Sequence, residues 1–180
     1  MSGIRGMRDT SDTTGVDEID RSPAIVSTTL AVGAGVVSLL GSALGSLAGV
    51  APAAVGVLVL GVGLVRGSRR ILTAGAGLLF VGVLLAGASG AGPEPLVVGT
   101  LGAVLAWDVG ENGIGVGAQL GREADTRRVE LVHAASSLAV GAVTAALGYG
   151  VYLAAASGQP LTALVFLLFG AILLVSVLDR

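Results

Sequence analysis

Residues 24–65 read AIVSTTLAVGAGVVSLLGSALGSLAGVAPAAVGVLVLGVGLV, 42 positions without one charged side chain. A soluble domain has no use for such a run. Its surface needs charge, which averages about a quarter of residues in globular proteins. Working outward, residues 71–93 are equally charge-free, and so are residues 131–178 once His133 is taken as neutral. The whole chain of 180 residues is 53% apolar, carries 30 glycines and is 12% charged. This composition predicts an all-α integral membrane bundle and excludes a soluble enzyme, a disordered tail and a nucleic-acid binder.

A membrane-crossing helix needs about 20 apolar residues at about 1.5 Å rise each. The opening run is therefore read as two spans, about 24–44 and 50–65. Ser22-Pro23 is the expected N-cap and first helical residue of one, and Pro52 falls in the expected first turn of the other. A third span covers about 71–88 and ends in the turn Gly90-Ala91-Gly92-Pro93-Glu94-Pro95. The last run divides at Ser157-Gly158-Gln159-Pro160 into spans five and six, about 131–156 and 161–178. Span four, about 96–116, is the ambiguous one. It is apolar only to Trp107, so the helix either continues through Asp108, Glu111 and Asn112 or stops there in a thinned bilayer. Six spans (23–180) then follow a disordered tail, residues 1–22, whose mixture of three arginines and five acids lacks the apolar core of a signal peptide.

All ten cations are arginines. Arg5, Arg8 and Arg21 precede span one, Arg66, Arg69 and Arg70 lie between two and three, Arg122, Arg127 and Arg128 between four and five, and Arg180 after six. They share one side, and the opposite loops carry only Glu94. The positive-inside rule places both termini in the cytoplasm. Tyr149 and Tyr152 then fall near the outer end of span five, as an aromatic belt requires.

The stretch from Asp108 to Arg122 is where chemistry could sit. At about 100° per residue, Asp108, Glu111, Asn112, Gln119 and Arg122 gather on one helical face, with Leu120 and the glycines opposite. His133 joins that line once the chain reverses. Carboxylates at the bilayer centre cost about 2.5–3.5 kcal/mol each, so there they are candidates for ion or proton binding. On a wetted cytoplasmic helix the same face needs no transport role. His133, with Glu130 at i−3, reads as an interfacial hydrogen-bonding residue. The cluster of Arg122, Arg127 and Arg128, interleaved with Glu123, Asp125 and Glu130, reads as a solvated, partly helical loop, with Glu123 placed four residues before Arg127 for a helical ion pair.

Gly41, Gly45 and Gly49 are spaced by four, as are Gly113, Gly117 and Gly121. This spacing makes each triplet a candidate helix-packing seam, more inside the bundle than between protomers; the alternative is that 30 glycines in 180 residues produce such triplets by composition alone. Gly87-Ala88-Ser89-Gly90 imitates the serine motif of rhomboid-type proteases, but the predicted topology puts Ser89 and His133 at opposite ends. A nucleophile and its base must come within about 3.2 Å. The absence of Cys and Lys removes thiolate sites, a Walker A lysine and Schiff-base chemistry. With one His and two Met there is no ligand set for haem, copper or zinc, and no cofactor is expected.

The segments Ala106-Trp107-Asp108-Val109-Gly110-Glu111, Gln119-Leu120-Gly121-Arg122 and Thr126-Arg127-Arg128-Val129-Glu130-Leu131-Val132-His133-Ala134 resemble an uncharacterised family of small haloarchaeal membrane proteins. Genes of that family often lie near those of MoxR-type AAA ATPases and their von Willebrand factor-like partners. The resemblance implies a halophilic cell membrane and an accessory role, and carries over no site residue. The expectation is a non-enzymatic scaffold or accessory subunit, set in lipid and offering its tail and the 122–130 loop to other proteins. The alternative is a small ion or proton transporter using Asp108 and Glu111.

Overall fold

The computed structural model describes residues 22–120 and 126–155. It is all-helical there, without strands: α1 Ile25–Gly45, α2 Leu47–Val65, α3 Arg69–Ala88, α4 Pro93–Leu120 and α5 Arg127–Ala155. By length and composition α1, α2, α3 and most of α5 can cross a membrane. The expected sixth span, 161–178, lies outside the described residues.

Several expected boundaries move. Helix α1 starts at Ile25 with Ala24 as its N-cap, so Ser22 and Pro23 precede the cap. Ala24 has no side-chain acceptor to offer, and a residue from another helix fills that need. Helix α2 begins right after Ser46, whose hydroxyl accepts the Ala48 N–H at 3.2 Å. Pro52 is therefore inside α2 rather than in its first turn, where it removes the hydrogen bond that position would donate to the turn before it. Helix α4 does not stop at Trp107 but runs through Asp108, Glu111 and Asn112 to Leu120. Those three polar residues lower its hydropathy without breaking the helix.

The turns at the ends of α2 and α3 share one chemistry. Gly67 and Gly90 have φ of 60° and 88°, a region that costs glycine nothing. Ser68 N–H donates to Gly63 O and Gly67 N–H to Leu64 O, and the pattern recurs at Ala91–Ala86 and Gly90–Gly87. These paired bonds satisfy carbonyls that would otherwise end each helix unpartnered.

Packing is set by small residues. Helices α1 and α4 run antiparallel, with Gly41 against Gly99, Ser38 against Gly102, Ser27 against Gly113 and Ser22 against Gly117. A Cβ added at Gly41 would lie 2.7 Å from the Gly99 backbone, and one at Gly102 2.7 Å from the Ser38 nitrogen. Helices α2 and α3 form a second such pair, in which a Cβ at Gly56 would lie 2.7 Å from the Leu79 nitrogen. In lipid, where burying apolar surface between helices brings little, such backbone proximity is what holds them. Leu60, Leu64, Leu72 and Leu79 fill the space between the pairs and are fully buried. Leu44, Leu47, Val65 and Val140 point outward.

The first glycine triplet is not one seam. Gly41 meets α4, Gly45 meets Ala91 and Ala86, and Gly49 lies on α2, facing Gly82 of α3. The helix ends at Gly45, so spacing by four across the break does not stack these glycines. Gly113 and Gly117 do share the α1 side of α4, and Gly121 lies outside the described residues.

Successive helices alternate in direction. Arg66, Arg69, Arg70, Arg127 and Arg128, the arginines among the described residues, therefore gather at one end of the bundle. Glu94, Tyr149 and Tyr152 lie at the other.

Candidate functional site

The polar layer forms around the second half of α4, where three neighbours converge. Asp108 faces α5: its Oδ2 lies 3.0 Å from His133 Nε2 and accepts a hydrogen bond from the Ser137 hydroxyl. Glu111 faces α3 instead, 3.1 Å from Arg69. Trp107 also reaches α3, its indole N–H donating to the Thr73 hydroxyl at 3.2 Å.

The predicted single polar face is thus divided. Three residues turn a helix by about 300°, so Asp108 and Glu111 diverge by about 60°, enough to aim them at different neighbours. Asn112 is partly buried, and its Nδ2 has no hydrogen-bond partner among the described residues. Gln119 is exposed near the end of α4, and Arg122 lies outside the described residues. His133 does join Asp108, because α5 returns antiparallel to α4. The spacing of His133 and Ser137, four apart on α5, was the readable sign of that contact.

Glu130 is the residue that sequence reasoning placed wrongly. It is not part of a solvated loop but only 3% exposed. Its Oε2 accepts the Ser27 backbone N–H at 2.6 Å, and its Oε1 accepts the Thr126 hydroxyl at 2.8 Å. Ser27 stands in the first turn of α1, where backbone donors have no partner within the helix and negative charge is favoured. Glu130 therefore caps a helix a hundred residues away. A single sequence carries no sign of it, since Glu130 looks like one more acid in a charged loop.

At the opposite end the Tyr149 hydroxyl donates to Glu94 Oε1 at 2.6 Å. That bond, and a second from its own backbone N–H, hold the Glu94 carboxyl below its ordinary value. Ser89 also lies at this end, its hydroxyl donating to the Leu85 carbonyl. Between the two ends a groove of about 680 Å³ runs along the α4–α5 junction, from Leu96 and Tyr149 to Asp108 and Ser136. Its walls are mostly apolar.

The arrangement defines a helical bundle with the make-up of a membrane protein, its carboxylates bonded across helix junctions. The chain belongs to the family of unknown function DUF7519, whose profile matches residues 21–175. No curated protein and no solved structure matches it.

Proposed function

We propose that this protein is a non-enzymatic membrane subunit, a scaffold or accessory component for other membrane or cytoplasmic proteins. In this reading it crosses the membrane six times, with both termini in the cytoplasm. The observation that carries it is the division of labour among three carboxylates. Asp108 joins α4 to α5, Glu111 joins α4 to α3, and Glu130 joins α5 to α1. Polar groups spent on holding helices together suit a rigid assembly.

Depth supports the same reading. Glu94 and Glu111 are separated by about 26 Å along α4 at 1.5 Å per residue, close to the thickness of a hydrocarbon core. Asp108 then lies only about 4.5 Å inside the Glu111–Arg69 level, near the arginine-rich interface rather than at the bilayer centre. The five described arginines at one end favour a cytoplasmic assignment of that end. The sequence resemblance adds a halophilic archaeal cell membrane and an accessory role beside a MoxR-type ATPase.

A second reading is favoured by one observation. Asp108 and His133 meet at the foot of the α4–α5 groove, where a proton or cation could be exchanged. Flux in proteoliposomes separates the two, comparing the parent with the Asp108→Asn, Glu111→Gln double variant under pH and cation gradients. Scaffolding predicts no flux above empty liposomes from either. Flux by the parent that the double variant loses would establish transport. Topology is tested by single cysteines: Ser68→Cys should label only from the cytoplasm and Gly92→Cys only from outside.

A further inference from the structure

Among the described residues, Asp108 is the one charged side chain that lines the α4–α5 groove. Its contacts with His133 and Ser137 both fall on Oδ2, and Oδ1 has no partner among the described residues. With the imidazole neutral, these bonds orient the carboxylate without cancelling its charge. Trp107, the next residue of α4 and the chain's single tryptophan, also lines the groove. Its indole is held in place by the bond to Thr73. Val104 and Val140, one on each wall, are exposed, so the groove is accessible from the side. Its volume of about 680 Å³ lies within the range of about 300–1,000 Å³ usual for small-molecule sites, which combine apolar walls with a few placed polar groups.

We propose that the α4–α5 groove binds lipophilic organic cations, molecules that carry a shielded positive charge on an apolar body. The proposal goes beyond the scaffold reading and stands whether or not the bundle moves anything across the membrane. Charge complementarity selects this class. A carboxylate in an apolar surround is costly unless a counter-charge meets it, and Oδ1 of Asp108 gives that charge a place. Aromatic faces attract cations within about 6 Å of the ring centre, and Trp107 stands beside the carboxylate in the same wall. The leucines and valines that make up most of the rest suit an organic body. A hard metal ion needs a shell of oxygen ligands, about 6–8 for calcium. To Asp108 the same end of the groove adds only the hydroxyls of Ser136 and Ser137, which already donate to the Val132 carbonyl and to Asp108 itself. An anionic amphiphile would meet the Asp108 charge with no cation in the described lining to offset it.

The test is a titration of the full chain in nanodiscs of zwitterionic lipid, with tetraphenylphosphonium in one series and tetraphenylborate, an anion of nearly the same shape, in another. Radiolabelled phosphonium measures binding, and the fluorescence of the single tryptophan reports on the groove. The expected result is saturable phosphonium binding above that of empty nanodiscs, with a change at Trp107 that tetraphenylborate does not produce. Asp108→Asn should weaken binding by about tenfold or more, the factor that one charge-assisted contact carries. Ala145→Phe fills the groove wall, leaves the Asp108–His133 pair intact and should abolish binding, so the comparison survives poor folding of Asp108→Asn. Glu111→Gln, on the α3 side of α4, should bind as the parent does. No saturable binding by the parent would overturn the proposal. So would an equal response to tetraphenylborate, which would show selection for apolar bulk without regard to charge. Binding that persists in both Asp108→Asn and Ala145→Phe would overturn it as well, by placing the cation elsewhere.

Discussion

The Glu130 carboxylate accepts the backbone N–H of Ser27 at 2.6 Å, so the first turn of α1 is capped by α5. A hydrogen bond to a charged group contributes about 1.5–3 kcal/mol, and Glu130 is buried. Replacing Glu130 by Ala should therefore destabilise the bundle by about that much. Melting in detergent measures the loss. Amide exchange should quicken first at the start of α1, and uniform exchange across all helices would show that Glu130 is not a local cap.

Glycines divide into two groups by what a methyl group would meet. Gly41→Ala puts a Cβ 2.7 Å from the Gly99 backbone, and overpacking of this kind costs about 1–3 kcal/mol. At Gly33 a Cβ meets nothing within 4 Å, so Gly33→Ala should be neutral or stabilise by up to about 1 kcal/mol through helix propensity. Opposite movements of the two melting temperatures are expected. Equal effects would mean that α1 and α4 are not in close contact at Gly41.

The two α4 carboxylates should behave differently. Asp108 and His133 touch directly, so their alanine variants should be non-additive in a double-mutant cycle, coupled by about 0.5–3 kcal/mol. Glu111 pairs with an Arg69 side chain that is 59% exposed, and exposed pairs contribute about 0–1 kcal/mol. Glu111→Gln should thus cost little. A large loss there would place Glu111 in a drier setting than its partner's exposure indicates.

At the other end, Tyr149→Phe removes the hydroxyl that does most to hold the Glu94 carboxyl low. The Glu94 titration should move up toward the ordinary carboxylate range, as followed by NMR of its labelled carboxyl carbon. The sign is that of a depressed acid. The contribution of this contact to stability is present above the ordinary carboxylate value and fades as pH falls through the lowered one. An unmoved titration would show that the bond does not persist in solution.

What the sequence by itself determined are properties that are local along the chain. Charge-free runs mark the helices that became α1, α2, α3 and α5 to within a few residues, and the clusters around Arg66–Arg70 and Arg127–Arg128 mark one end. Gly90 announces a turn because only backbone conformation is at stake there. Rotation of each helix about its axis was settled only by tertiary structure. In helices that are apolar nearly all round, periodicity does not say which side faces a neighbour. Asp108 and Glu111 therefore seemed to share one face, Gly41, Gly45 and Gly49 one seam, and Glu130 a place in water. The register of α4 against its two antiparallel neighbours, α1 and α5, decided otherwise. It brings Ser27 to Glu130 and His133 to Asp108 across gaps in sequence that no local pattern spans. In an apolar surround, an unpartnered backbone N–H or carboxylate is costly enough to make such contacts compulsory.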